Sequence, residues 1–329
     1  MPSKVIFSES LSENFLSKLE KEIPFENETV AIKLHMGEPK NPNHLKPEEV
    51  KKFVDLLKKK NCKPFLFDTT VAYLGKRHSA KGYLEVAALN GFIEEKVGCP
   101  IVIGDKDYEV VKGKIEYQIP KEICNVSVLV LTHVKGHPCT SIGASIKNLG
   151  MGCVTKKTKS DIHDSAKPVY VGNCVLCGTC VKNCPVNAIK LDKILTKRPI
   201  FLDCWGCSYC TVVCPQKALK PKVAIFDFLL AEAAKSAISK FKKVYYVNFL
   251  VRMAERCDCE NKELKPVIKD IGILASSDIL AIEKASYDLI IEKNGKDVFK
   301  ELNKKPFSIQ LEAAKELNMG NMEYEIEKL

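Results

Sequence analysis

No run of about eighteen apolar residues occurs in the 329-residue chain, so a membrane-spanning helix is not expected. The N-terminus, MPSKVIFSES, lacks an apolar h-region, which argues against a secretory signal and makes the cytoplasm the expected compartment. No long Lys/Arg run and no RNA-binding signature accompany the formal charge of +10, from 51 Lys and Arg against 41 Asp and Glu. Nucleic acid is therefore not the expected partner, and single lysines on helix-like segments account for much of the excess. A glycine-rich dinucleotide fingerprint is missing, which argues against a flavin. Low apolar content is missing too: at 46% hydrophobic residues, disorder cannot dominate. The length suits roughly two domains, ample for a core, so the fifteen cysteines are not needed as staples. In a reducing compartment, clustered cysteines read as metal-binding or catalytic.

What the chain does have, first, is alternation. Glu28–His35 (ETVAIKLH) reads as a short strand ending in polar residues. Pro47 opens a helix in which Val50, Phe53, Val54 and Leu57 share one face. Lys63–Asp68, Cys99–Asp105 and Asn125–His133 read as further strands, and Ser79–Phe92 as a helix. Such alternation predicts an α/β fold with a mostly parallel sheet and helices on both faces. Ligands of these sheets collect beyond the carboxyl ends of the strands, where His35, Asp68, Asp105 and His133 fall. From Ala166 to Pro221 the texture changes: cysteines become dense and elements short. An amphipathic helix after Val223, strands at Lys243–Leu250 and Ile271–Leu274, and a helix capped at Ser276-Ser277-Asp278 then restore the α/β pattern. The economical reading is one α/β domain, residues 1–165 and 222–329, interrupted by a module at 166–221.

Within that module Cys174-x2-Cys177-x2-Cys180-x3-Cys184-Pro185 recurs as Cys204-x2-Cys207-x2-Cys210-x3-Cys214-Pro215, thirty residues later. Ala188-Ile189-Lys190 recurs as Ala218-Leu219-Lys220 in the same register. This is the bacterial two-cluster ferredoxin run, in which the fourth cysteine of each motif ligates the other cluster. The expected ligand sets for two 4Fe–4S clusters are Cys174, Cys177, Cys180 and Cys214, and Cys204, Cys207, Cys210 and Cys184. Zinc, the other reading of paired CxxC motifs, usually takes two separated pairs and fits a triplet plus Cys-Pro poorly. Trp205, the one tryptophan, follows the first cysteine of the second motif and either shields a cluster from water or simply packs.

A second constellation lies between residues 133 and 163, which hold five lysines, three of the six histidines and one carboxylate, Asp161. His133-Val134-Lys135-Gly136-His137 follows a strand as a loop, and Ser141–Leu149 reads as a short helix carrying Lys147-Asn148 at its end. A cationic, glycine-containing loop opening a helix suits a phosphate or carboxylate; the plainer reading is a solvated basic loop. Cys257-Asp258-Cys259 suits a further metal or a substrate sulfur, against one buried thiol and one exposed one. Cys62, Cys99, Cys124, Cys139 and Cys153 show no ligand spacing and read as packing residues.

At these residues the chain resembles the family called domain of unknown function 362, described as uncharacterised iron–sulfur centre proteins. The resemblance runs through VAIKLHMGEP at Val30, FDTTVAYLGKRHSA at Phe67, THVKGHPCTSIGASIKNLGMGC at Thr132, the double cysteine motif and DIGILASSDILAIEKASYDLI at Asp270. It implies an α/β domain interrupted by a two-cluster ferredoxin module, and it supplies no substrate. Its motifs single out Lys33, His35, Asp68, Arg77, His133, Lys135, His137, Lys147, Asn148, Lys159, His163 and Asp278, the last reading better as a helix cap.

Together these readings make the chain an iron–sulfur protein that passes low-potential electrons to a small anionic substrate in the α/β domain, with an electron donor or acceptor protein as partner. His35, His133 and His137 are the candidate proton donors. Lys33, Asp68, Arg77, Lys135, Lys147, Asn148, Lys159 and His163 are the candidate binding residues. The alternative is a non-catalytic ferredoxin-like carrier or scaffold that docks on a partner enzyme. Convergence of the α/β residues on a cleft favours the first, and scatter over a surface the second.

Overall fold

An eight-stranded sheet organises the residues that the computed structural model describes, 1–104 and 106–329. Its strands are β1 (Ser3–Ser8), β2 (Thr29–Lys33), β3 (Lys63–Thr69), β4 (Ile101–Gly104), β7 (Ser127–His133), β14 (Val244–Leu250), β15 (Gly272–Ser276) and β16 (Tyr324–Lys328). The remaining strands form two-stranded ladders: β5 (Tyr108–Lys112) with β6 (Glu116–Pro120), β8 (Lys135–His137) with β9 (Ser141–Gly143), β10 (Pro168–Tyr170) with β13 (Leu219–Pro221), and β11 (Ile189–Asp192) with β12 (Arg198–Phe201). The large sheet runs β16-β1-β15-β14-β7-β2-β3-β4. It is mostly parallel: only β15 runs against its neighbours β1 and β14. Asp105 lies outside the described residues.

Burial on both faces explains the apolar runs of the central strands. All seven residues of β7, SVLVLTH, are buried. Val128 and Val130 point into one core, and Leu129 and Leu131 into the other, as the two-residue period of a strand requires. The first core is closed by α5 (Ser145–Gly152), α6 (Lys156–Ser165), α9 (Phe226–Ile238), α10 (Ile279–Asn294) and α12 (Ser308–Glu316). The second is closed by α1 (Glu13–Glu22), α2 (Pro47–Lys59), α3 (Ala80–Leu89) and α4 (Glu94–Val97). Pro47 stands at the start of α2, as the sequence predicts. Asp278 caps α10, accepting the N–H groups of Leu280 at 2.9 Å and Ala281 at 3.0 Å.

Between β10 and β13 the chain contributes nothing to the large sheet and builds its own small core around Cys180, Cys184, Ala188, Ile189, Cys210 and Leu219. Two one-turn helices, α7 (Thr179–Lys182) and α8 (Tyr209–Val212), sit in equivalent places, and the thirty-residue repeat extends to the backbone. Left-handed residues recur in pairs: Asn173 and Asp203, Leu176 and Gly206, Gly178 and Ser208, Asn187 and Lys217. A short helix, α11 (Val298–Asn303), packs on the β8–β9 hairpin.

Several local expectations need correction. The segment after β7 is a hairpin, β8–β9, rather than a loop: Pro138 and the positive φ of Ser141 turn the chain back on itself. The following helix starts at Ser145, not Ser141, so Lys147 and Asn148 occupy its first turn rather than its end. Strands β1 and β16 and the β5–β6 hairpin extend the fold beyond the strands expected from alternation. Among the described residues, no helix is long and apolar enough to cross a membrane.

Candidate functional site

Beyond the carboxyl ends of β2, β3 and β7 lies a cavity of about 500 Å3. Ten of the residues singled out by sequence line it: Lys33, His35, Asp68, Arg77, Lys135, His137, Lys147, Asn148, Lys159 and His163. His133 does not. It lies behind the wall, where Nδ1 faces Asp258 Oδ2 at 2.8 Å and Nε2 faces the Val251 carbonyl at 2.8 Å. Both ring nitrogens thus meet acceptors, and Asp258 in turn holds Lys135 at 3.2 Å. Burial opposes ionisation of Asp258, but the charges of His133 and Lys135 outweigh it and hold the carboxyl well below its ordinary range. His133 therefore positions Lys135 and has no access to a bound molecule.

The other cations divide by partner. Lys33 reaches Asp68 Oδ1 at 3.1 Å and donates to Asn148 Oδ1 at 2.6 Å, which ties β2, β3 and α5 together. Gly152 permits this closeness, since a Cβ there would meet Lys33 Nζ at 2.3 Å. Arg77 donates to Glu38 at 2.5 Å and contacts His35 Nε2 at 2.8 Å. Lys147 and Lys159 form no ion pair with a carboxylate among the described residues. Lys147 donates to Cys257 Sγ at 3.2 Å, and Lys159 to Thr69 Oγ1 at 2.8 Å and to the Thr70 carbonyl. Burial lowers the pKa of Lys159 from its ordinary 10.5 to about 7; Lys33, Arg77 and Lys147 add to this, and Asp68 opposes it.

The histidines on the wall are held in distinct states. His35 accepts from the Gly37 N–H at 3.0 Å and faces the Arg77 guanidinium through its other nitrogen. Burial, then the Arg77 charge, holds its pKa well below the ordinary value, so it stays neutral. His137 accepts from the Cys139 N–H at 3.3 Å, which leaves its proton on Nε2; burial followed by the Lys147 charge keeps it neutral as well. His163 donates Nδ1–H to the Trp205 carbonyl at 2.6 Å and packs at a tilt of 43° against Phe226 with centroids 4.9 Å apart. Neither His35 nor His137 is thus a ready proton donor near neutral pH, whereas Lys159 titrates there.

Trp205, adjoining Cys204, forms part of the same cavity wall. Gly206 lets this segment approach α6: its φ is +70°, and a Cβ there would lie 2.1 Å from the His163 carbonyl oxygen. Lys305, buried and paired with Asp227, donates to the carbonyls of Cys139 at 2.6 Å and Cys207 at 3.1 Å. Ser208 Oγ accepts the Phe226 N–H at 2.6 Å at the start of α9. The second cysteine motif is therefore fastened directly to the cavity wall.

Around the eight repeated cysteines, backbone N–H groups point at sulfur in the same thirty-residue register. Leu176 donates to Cys174 at 3.4 Å and Gly206 to Cys204 at 3.4 Å; Ala188 donates to Cys184 at 3.2 Å and Ala218 to Cys214 at 3.3 Å. Cys174, Cys177, Cys180 and Cys214 line one small cavity. Burial pushes the thiols of Cys204, Cys207 and Cys210 up, and the neighbouring Cys184 adds to it in each case. Among the described residues, no three His, Cys, Asp or Glu side chains converge on a single-ion site.

Sequence reasoning missed several wall or support residues. Cys139, read as packing, lines the cavity; Cys257 and Cys259, which the sequence leaves between a metal or substrate-sulfur site and two unrelated thiols, line it as well. Glu38 and Asp258, which anchor Arg77 and Lys135, receive no role of their own from the sequence, although Asp258 stands inside the Cys257-Asp258-Cys259 motif. Glu38 does fall within the VAIKLHMGEP segment, the one signal that could have marked it.

The profile of the family described as "Domain of unknown function (DUF362)" matches residues 30–288. No curated protein matches the chain. Among solved structures, the crystal structure of a protein from Thermotoga maritima is similar to 92% of this chain at 7% identity, with a TM-score of 0.42. The chain spans 58% of the length of that structure. On the extent of the family match, the chain belongs to the DUF362 family.

Proposed function

We propose that this member of the DUF362 family is an iron–sulfur oxidoreductase that delivers electrons to a small anionic substrate held in the α/β cavity. Residues 166–221 act as an inserted two-cluster ferredoxin module. Cys174, Cys177, Cys180 and Cys214 hold one 4Fe–4S cluster, and Cys204, Cys207, Cys210 and Cys184 the other. The donor set suits such groups: eight thiols in a repeated backbone frame, with N–H groups aimed at four of the sulfurs. A four-iron cube keeps its thiolates further apart than one ion does, so the lack of a compact single-ion site is compatible with it. The clusters supply one-electron transfer.

The observation that carries the reading is the shared wall: Trp205, next to Cys204, closes the cavity that collects Lys33, Arg77, Lys135, Lys147 and Lys159. Enclosure of these cations favours a substrate site over the carrier or scaffold reading, in which they would spread over a docking surface. Among the described residues Lys147 and Lys159 have no carboxylate to neutralise them, and they bind the anionic group through charge-assisted hydrogen bonds. Lys159, titrating near neutrality, moves the proton that accompanies reduction. Lys33, Asp68 and Asn148 hold this wall in place. Cys177, Val175, Ile194 and Leu195 in the cysteine-rich segment are exposed, which supports an electron-donating or electron-accepting protein as partner of that segment.

The test is anaerobic preparation with metal and sulfide analysis. About eight irons and eight acid-labile sulfides per chain are expected, with the EPR spectrum of two interacting clusters on reduction. Stoichiometric zinc without sulfide would sink the proposal.

A further inference from the structure

Cys257 and Cys259 lie on the stretch after β14 and both line the cavity. Asp258, between them, is held on the other side by His133 and Lys135, so the two sulfurs face the same space. Cys259, two residues on from Cys257, lines the same cavity, and Cys257 Sγ accepts from Lys147 Nζ at 3.2 Å. That sulfur is the only acceptor Lys147 has among the described residues. A cysteine facing an ammonium group is an arrangement that favours a thiolate. Consistently, the neighbouring Cys259 thiol and then the charges of Lys147 and Lys135 overcome burial and hold the Cys257 pKa well below its ordinary value, while Cys259 is pushed up and stays a thiol.

We propose that Cys257 and Cys259 are a redox-active dithiol on the cavity wall, with Cys257 the nucleophile and Cys259 the resolving thiol, and that its substrate is a small anionic disulfide. The Cys257 thiolate attacks one sulfur of the disulfide. A Cys257–substrate S–S bond forms, the substrate S–S bond breaks, and one half leaves as thiolate with the bonding pair. Lys147, having lost its thiolate partner, then faces the leaving group. Cys259 attacks Cys257 Sγ, its proton passes to the second departing sulfur, and the second half leaves as thiol. The pair is oxidised by two electrons to the Cys257–Cys259 disulfide, and the substrate is reduced by two to one thiolate and one thiol. The anionic preference follows from Lys147, which faces the leaving group, and from Lys159 on the same wall, neither of which is paired with a carboxylate among the described residues. The proposal goes beyond the electron-transfer reading and does not depend on it, because every readout below is taken at Cys257 and Cys259.

The experiment treats the full chain, anaerobically, with dithiodipropionate (anionic), hydroxyethyl disulfide (neutral) and cystamine (cationic), followed by peptide mass spectrometry. Wild type should form the Cys257–Cys259 disulfide. Cys259→Ser should instead accumulate one substrate half on Cys257, and Cys257→Ser should do neither. Dithiodipropionate should react fastest and cystamine slowest. Alkylation of Cys257 by neutral iodoacetamide should depend little on pH near neutrality, and Lys147→Met should slow it about thirtyfold at pH 7 as the thiol returns to its ordinary ionisation. The thermal denaturation midpoint, measured alongside, shows whether the variants retain the fold. The proposal is overturned if Cys259→Ser traps no adduct on Cys257, if cystamine outpaces dithiodipropionate, or if Lys147→Met leaves the alkylation profile unchanged.

Discussion

Lys159→Met removes a buried amine whose ionisation the fold suppresses, and its effect can be worked out in advance. Unfolded, the amine titrates at its ordinary 10.5; folded, at about 7. Between those values the unfolded chain binds the extra proton, so stability rises with pH. The penalty for holding Lys159 in its pocket is full below about pH 7 and is relieved as the pH climbs toward 10.5. From about pH 6 to pH 9 this linkage adds about 2.5 kcal/mol to the stability of the wild type. Methionine fills a similar volume but cannot donate to Thr69 Oγ1 and the Thr70 carbonyl. Each hydrogen bond lost to a buried acceptor costs on the order of 1–3 kcal/mol, so the variant's absolute stability at one pH decides little. The difference between the two proteins across pH decides more, because the hydrogen-bond loss is nearly constant. Anaerobic urea unfolding at several pH values should show the wild type gaining on the variant by about 2.5 kcal/mol over that interval. Parallel curves would refute the reasoning and remove Lys159 from its proton-transfer role.

Cys184→Ala should perturb the cluster held by the second motif, and Cys214→Ala the one held by the first. EPR of each variant checks this, and damage confined to the mutated motif's own cluster would count against crossed ligation. A phosphate- or carboxylate-bearing metabolite at about a hundredfold excess over its dissociation constant should stabilise the wild type by about 2.7 kcal/mol in a thermal-shift titration. Lys147→Ala should lose most of that shift; an equal response would mean that the anion binds elsewhere. Gly206→Ala forces a Cβ to within 2.1 Å of the His163 carbonyl oxygen at a φ of +70°. It should cost on the order of 1–3 kcal/mol and move the environment of Trp205. Fluorescence of that one tryptophan and the denaturation midpoint report the change, and if neither moves, the close contact between α6 and the second motif is not needed.

The alternation of apolar runs and amphipathic helices determined the class of fold, because strands covered on both faces must be apolar throughout. The seven buried residues of β7 and the Pro47 and Asp278 helix starts are legible for that reason. The thirty-residue cysteine repeat is legible because its spacing is local, and the same offset reappears in the left-handed backbone positions. Strand β15 was legible as a strand, but not its antiparallel direction, which depends on what lies beside it. The site divides in the same way. The motifs of the resembled family marked Lys33, Asp68, Lys147 and Lys159, with Lys147 expected at the end of its helix rather than in the first turn. Only tertiary packing decided their roles, since a side chain's protonation and partners are set by residues far away in the chain. Asp258, 125 positions from His133, takes that histidine out of the cavity, and burial makes Lys159 the group that titrates near neutrality. The cavity itself belongs to no segment: β2, β3, α5, α6 and the stretch after β14 must all be in place before Cys257 meets Lys147, 110 positions away.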